Sequence, residues 1–300
     1  MSFGLALLVP GGHGQLGRDL VLHAPSDAYV SAPGSADLDV RQAGAVIEAV
    51  SELATRARDE GRKPVVINAA AYTAVDMAEK DQDAAFAVNA DAPRVLAAVC
   101  SSRGVPLVHV STDYVFPGDA SKPYAADDAV GPQSIYGVTK LAGERAVLGS
   151  GARAWVVRTA WMYGAHGNNF VKTIARLAAE RDELTVVDDQ RGSPTWSGDL
   201  ARGLVALAER IATGHAPTRH ILHATGGGET TWFGFARAIF EELDLDPERV
   251  KPCGTKDFPR LAPRPAYSVL SDAEWRSAGL PPLAPWREAL TKADVPSWAR

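Results

Sequence analysis

Leu5-Ala6-Leu7-Leu8-Val9-Pro10-Gly11-Gly12-His13-Gly14-Gln15-Leu16-Gly17 is the stretch on which the reading of this chain turns. Its first five residues form an unbroken apolar run, the pattern of a strand in a parallel sheet covered on both faces. Glycines at 11, 14 and 17 follow at once, and a run of helical period continues to about His23. A strand that turns on glycines straight into a helix leaves free N–H groups and a partial positive charge at the helix start, where a pyrophosphate binds. The three glycines allow a tight turn, close approach of backbone to the anion, and close helix–sheet packing. Gly11, Gly14, Gln15, Leu16 and Gly17 are therefore candidate dinucleotide-binding residues. His13 reads as a tolerated loop residue.

The same alternation continues outward. Strands are expected at Tyr29–Ser31, Val65–Asn68, Leu107–Ser111 and Ala154–Thr159. Helices are expected at Arg41–Arg58, Ala84–Arg103 and Tyr136–Leu148, with Pro93 marking a break or a new first turn. Strands and helices alternating at this spacing are βαβ units, which gives an α/β fold with a Rossmann-type doubly wound parallel sheet. After Thr159 turn-rich pieces (163–169, 188–198) and a proline-rich stretch (252–265) interrupt the pattern, while helical runs remain at 170–181, 199–212 and 232–243. We divide the chain into a dinucleotide-binding domain, 1–159, and a smaller mixed α/β substrate-binding lobe, 160–300, some of whose elements return to the sheet. Ligands bind at the carboxyl edge of such sheets, and the lobe is expected to lie over that edge.

Composition narrows the function classes. With 46 % hydrophobic and 22 % charged residues, the 300-residue chain has the make-up of an ordinary soluble globular protein. A net charge of −5 without a Lys/Arg block gives no support to nucleic-acid binding. No apolar run reaches the roughly 18–20 residues of a membrane span, and Met1 to Gly14 lack the features of a secretory signal. Cys100 and Cys253 stand in unrelated contexts, which excludes a disulfide framework or a cysteine-ligated zinc and suits a reducing cytoplasm. No carboxylate cluster points to a metal.

Tyr136-Gly137-Val138-Thr139-Lys140 opens a helix just after Gly131-Pro132. Side chains four apart on a helix share a face. Thr112 falls just past the strand 107–111, where its hydroxyl can meet them at the sheet edge. Hydride reduction of a ketone makes an alkoxide, which must receive a proton as it forms. A lysine cation about 5 Å from a tyrosine, at an effective dielectric of about 20, favours the tyrosinate by about 3 kcal/mol, or about two pKa units. Tyr136, Lys140 and Thr112 are the catalytic candidates. An acid about 20 residues beyond the glycines should hold the adenosine ribose. Asp37 has the count but lies past Ala32-Pro33-Gly34-Ser35, and Arg41 is the only arginine or lysine between Asp19 and Thr55. The choice between NADH and NADPH stays open.

At this point the chain resembles the dTDP-4-dehydrorhamnose reductase family of extended short-chain dehydrogenases. The matching segments are 14–17, Asn68-Ala69-Ala70-Ala71-Tyr72-Thr73-Ala74-Val75-Asp76, Ser111-Thr112-Asp113-Tyr114-Val115-Phe116-Pro117-Gly118, 136–144, Gly167-Asn168-Asn169-Phe170, 189–195 and Arg264-Pro265-Ala266-Tyr267-Ser268. The resemblance implies reduction of the 4-keto group of dTDP-6-deoxy-L-lyxo-4-hexulose to dTDP-L-rhamnose by NADPH or NADH. Tyr136 then resembles the proton donor, Lys140 its tuner and the nicotinamide-ribose anchor, and Thr112 the third member. Asp39 and Val40 match the pair bordering adenine, and Ala71, Tyr72 and Thr73 the loop over the cofactor. Thr112, Asp113 and Trp161 match the sugar-nucleotide contacts, with Asn169 and Arg264 carried over for the same ligand. The chain departs from the family pattern at Pro10, where a threonine is usual, and at Tyr267 and Val269.

Two other classes remain in view. A sugar-nucleotide 4,6-dehydratase shares the glycine loop and the Tyr/Lys pair but needs an Asp-Glu after the threonine, and here Asp113 is followed by Tyr114. A non-catalytic nucleotide-binding regulatory subunit would keep the fold and lose the chemistry, against which the intact Thr112, Tyr136 and Lys140 argue. A reductase of another dTDP-4-keto-deoxysugar is indistinguishable at this level. His109 reads as a packed structural histidine. The thinly charged helix 232–243 is ordinarily a core element and is equally compatible with half of a homodimer contact.

Overall fold

The computed structural model describes residues 4–298; the chain ends assigned above, 1–3 and 299–300, lie outside the described residues. Six parallel strands build the main sheet: β1 (Leu5–Leu8), β2 (Tyr29–Ser31), β3 (Lys63–Asn68), β4 (Leu107–Thr112), β5 (Ala154–Thr159) and β6 (Ile221–His223). Their spatial order is β6-β5-β4-β3-β1-β2. The order of the chain reverses between β1 and β3, and the carboxyl ends of those two strands form the crevice where such sheets take ligands. Burial explains the apolar runs. Leu5 and Leu7 face one core and Ala6 and Leu8 the other, so every residue of β1 is apolar.

Helices α1 (Gln15–His23), α2 (Ala43–Asp59), α3 (Ala92–Arg103) and α4 (Ile135–Leu148) follow the expected order. Behind them come α5 (Phe170–Glu180), α6 (Ser197–Ala212) and α7 (Trp232–Glu242). One face of the sheet is covered by α1 and α6, whose Leu16, Leu20, Leu200, Leu204 and Ile211 meet Trp155 and Trp275. The other is covered by α2 and α3 through Val46, Val50, Leu53, Leu96 and Cys100. Each of these aliphatic side chains stabilises the fold by about 1.5–3 kcal/mol on burial. The chain after Thr159 thus returns strand β6, helix α6 and the short helix Ala273–Ser277 that carries Trp275 to the main sheet. Its own core gathers Val171, Ile174, Phe235, Ile239, Phe240 and Leu290. There, Leu184–Val187 pairs in parallel with Val250–Cys253.

Within the run 84–103 the new first turn expected at Pro93 is present, where α3 begins afresh; what precedes it differs from the expectation, since Gln82–Phe86 is α-helical and Ala87–Asp91 is a π-helical turn. Neither the range of β6 nor the 184–187/250–253 pair was expected, because three or four residues among prolines and turns carry too little period to register. No helix among the described residues is long and apolar enough to cross a membrane.

Candidate active site

Strand β4 and helix α4 bring the three catalytic candidates together. Thr112 ends β4, opposite Thr159 of β5. Ser134 caps α4 by accepting from Gly137 N at 3.2 Å, which sets the helix start just before Tyr136. One turn on, Lys140 is buried and its Nζ donates to the Val110 carbonyl at 2.7 Å, tying α4 to the strand that carries Thr112. Tyr136 packs on edge against Tyr114, ring centroids 5.4 Å apart. The Thr112 hydroxyl donates to Asp113 Oδ1 at 2.9 Å.

Electrostatics here depart from the expectation. Burial pushes Tyr136 up to about 12, with Thr112 acting in the opposite sense. The lowering expected from Lys140 is not met, because that ammonium turns to the Val110 carbonyl and burial itself holds it down to about 8. Asp113 is 2 % exposed, and burial lifts it to about 6 against the hydrogen bonds of Ser268 and Thr112. Its Oδ2 is an orphaned buried acceptor. A tyrosine that keeps its proton, a lysine poised near 8 and a carboxyl poised near 6 form a proton-transfer set that works around neutrality.

The glycine turn fits a dinucleotide. Gly11 has φ 81°, and a Cβ there would stand 2.7 Å from Ala70 N, so the turn lies directly against the loop after β3. Gly14 caps α1 without any side-chain hydrogen bond, which leaves the N–H groups of Gln15, Leu16 and Gly17 without a capping partner from Gly14. A Cβ at Gly17 would overlap the Gly11 carbonyl, so no other residue lets α1 start this close to the turn. Asp39 receives Arg41 in two-pronged fashion at 2.9 and 2.8 Å, and that pairing holds its carboxyl at about 2. Val40 packs on the core beneath. His13 stands over Gly34, 4.0 Å from Asp37.

The loop 71–73 is held from a residue the sequence reading missed. Asn89, 1 % exposed, accepts from Tyr72 N at 2.8 Å and donates to Tyr72 O at 3.0 Å and to Thr139 Oγ1 at 3.1 Å. It sits in the π turn, and that turn aims one amide at both the loop 71–73 and helix α4. No local spacing betrays an asparagine in this role. Asn68 is similar: it accepts from Ala70 N and donates to His109 Nδ1. His109 itself is fully buried, and burial and then Lys140 hold it well below its ordinary range.

On the other side of the edge a cavity of about 310 Å³ opens, walled by Tyr114, Phe170, Gln190, Trp232, Arg260 and Arg264 among others. The remaining candidates for the substrate have partners within the protein. Arg264 pairs with Asp76 at 2.8 Å. Asn169 caps α5 and donates to Gln15 Oε1 at 2.9 Å, bridging the glycine turn and the lobe. Trp161 lies flat on Trp232. Asp19 is buried against Ser197. Among the described residues no group of three or more His, Cys, Asp or Glu could hold a metal.

The family model described as the RmlD substrate binding domain matches residues 5–294. The chain is 48 % identical to the Streptomyces antibioticus protein named probable dTDP-4,6-dihydroxy-2-methyloxan-3-one 4-ketoreductase, over 95 % of this chain and 93 % of that one. It is 47 % identical to the dTDP-4-dehydrorhamnose reductase of Streptomyces griseus, over 95 % and 92 %. The crystal structure of the Bacillus anthracis dTDP-4-dehydrorhamnose reductase in complex with NADP superposes with a TM-score of 0.88 at 33 % identity, covering 98 % of this chain and all of that one. The chain belongs to the dTDP-4-dehydrorhamnose reductase family of extended short-chain dehydrogenases, which use NAD(P)H.

Proposed function

We propose that this protein reduces the 4-keto group of dTDP-6-deoxy-L-lyxo-4-hexulose (dTDP-4-dehydrorhamnose) to give dTDP-L-rhamnose, with NADPH or NADH as reductant. The observation that carries the reading is the convergence of Thr112, Tyr136 and Lys140 at the carboxyl end of β4, two strands from the glycine turn. The nicotinamide supplies the hydride when bound, in a cradle formed by residues 11–17, Asp39, Val40 and the loop 71–73. Thr112 turns its hydroxyl proton from Asp113 Oδ1 to the ketone oxygen and orients it. Tyr136, protonated at neutral pH, gives its proton to the oxygen as negative charge develops there. Lys140, cationic below about 8, stabilises the tyrosinate left behind by turning to it from the Val110 carbonyl. Asp113, beside Thr112, accepts from a sugar hydroxyl once ionised. Arg260 and Arg264 provide the positive charge in the cavity wall for the diphosphate.

A second reading is favoured by one specific observation: relatives of nearly equal identity carry the names of two different 4-ketoreductases. In that reading the chemistry is the same and the sugar differs. The deciding assay generates the 4-keto-L-sugar nucleotide in place and follows loss of nicotinamide absorbance with NADH and NADPH separately. Oxidation with dTDP-L-rhamnose as product is the expected result. Tight cofactor binding without oxidation on this substrate, but with it on another dTDP-4-keto-deoxysugar, moves the assignment to the second reading.

A further inference from the structure

Trp161 lies two residues past Thr159, the residue that faces Thr112 across β4 and β5, so its side chain leaves the backbone at the catalytic edge. Its φ is 47°, a left-handed conformation that a bulky side chain adopts only where the surroundings over-determine it. Three contacts do so here. The Trp161 carbonyl accepts from Thr195 N at 3.2 Å. The backbone at Gly192 lies against the indole so closely that a Cβ there would overlap Cε2 and Nε1. The indole also stacks face to face on that of Trp232, centroids 3.5 Å and planes 5° apart. Trp232 is in turn wedged against Phe170 at 4.5 Å, at the start of α5.

A flexible ring that closed over a ligand would not need a strained backbone, a glycine beneath it and a second indole alongside. We propose that Trp232 is a substrate-positioning residue that acts through Trp161, fixing that indole as a preformed wall for the sugar of the ketosugar nucleotide. The inference rests on the reductase reading above. Its physical basis is preorganisation: a ring already held in its bound orientation loses no rotamer freedom when the sugar arrives.

The test is a double-mutant cycle with a spectroscopic arm. Trp232→Leu is expected to raise KM for the ketosugar nucleotide about three- to tenfold, the range of one aromatic pair, with kcat within about twofold. Trp232→Phe should recover most of that loss, and NADPH affinity should not move in either variant. In a Trp161→Ala background, Trp232→Leu should change KM by less than about twofold. In the far-ultraviolet circular dichroism the stacked indoles give an exciton couplet, which should vanish in Trp232→Leu and persist when the wild type is saturated with dTDP-L-rhamnose. Additive effects in the cycle would mean that Trp232 acts by its own contact and overturn the proposal. Collapse of the couplet on product binding would do the same, by showing that Trp161 leaves the wall. A loss of NADPH affinity in step with KM would make Trp232 a fold anchor instead. A wild-type protein that neither binds nor turns over any ketosugar nucleotide defeats the reductase reading, and this inference with it.

Discussion

At the scale of single residues the site is organised by burial more than by charge pairing. Tyr136 is held near 12 and Lys140 near 8, both by loss of solvent. The phenol is therefore a stored proton, and removing it removes the step. Tyr136→Phe should lose about 10²–10⁴-fold in kcat while NADPH affinity is retained, because only proton transfer is affected. Single-turnover absorbance measurements beside a fluorescence titration of NADPH check this, and near-full turnover in the variant would assign the proton to another group. Burial of Asp113 and of Lys140 predicts a pH profile. Asp113 must be ionised to accept from the sugar, so kcat/KM should fall as pH drops through about 6. Lys140 must be cationic, so kcat/KM should also fall as pH rises through about 8. Asp113→Asn should remove the acid limb. Lys140→Arg, which stays cationic throughout, should remove the alkaline one. An unchanged alkaline limb in the arginine variant would place that titration elsewhere.

Among the elements, the π turn 87–91 links the proposed cofactor loop 71–73 to helix α4. The Asn89 side chain binds the loop at Tyr72 and the helix α4 at Thr139, and the Asn89 carbonyl fills the space in which a Cβ on Gly143 would lie. Asn89→Ala leaves the half-buried Tyr72 amide without its partner, a loss of about 1 kcal/mol. We expect NADPH to bind about tenfold more weakly, with the ketosugar KM much less affected, as isothermal titration and steady-state kinetics would show; equal loss for both ligands would make Asn89 a general fold determinant. Such a residue also marks the limit of what the sequence discloses. The glycine turn, the Tyr136–Lys140 spacing and the strands β1, β3, β4 and β5 are legible because each is a local pattern repeated over a few residues. Asn89, Trp232 and the Asp76–Arg264 pair act across separations of tens of residues or more, and a π turn has no periodicity of its own. Nor could sequence show that Asn169 turns to Gln15, since capping α5 and meeting the glycine turn are both settled by the tertiary arrangement.

For the molecule as a whole, the main sheet carries a proton balance that sets its tolerance of acid. His109 in β4 and His223 in β6 are both fully buried. Burial, then Arg158, holds His223 at about 3, and burial with Lys140 holds His109 well below its ordinary range. In the unfolded chain each titrates near 6.5. Between about pH 6 and 4.5, above the range of ordinary carboxylates, the unfolded chain therefore binds two protons that the fold refuses. Asp113 works the other way: the folded protein takes up its proton near 6, ahead of the unfolded value of 3.8. For these three groups, two protons against one leave a net uptake of about one on unfolding, so their contribution to stability is complete above about 6.5 and falls by roughly 1.4 kcal/mol per pH unit on acidification. Urea midpoints measured at half-unit steps across this window test the balance one histidine at a time. His223→Gln removes one refused proton and should bring the slope close to zero. Asp113→Asn removes the compensating uptake and should roughly double it. A wild-type midpoint already flat across the window, or a slope unmoved by either substitution, would mean that the buried histidines titrate within the folded sheet.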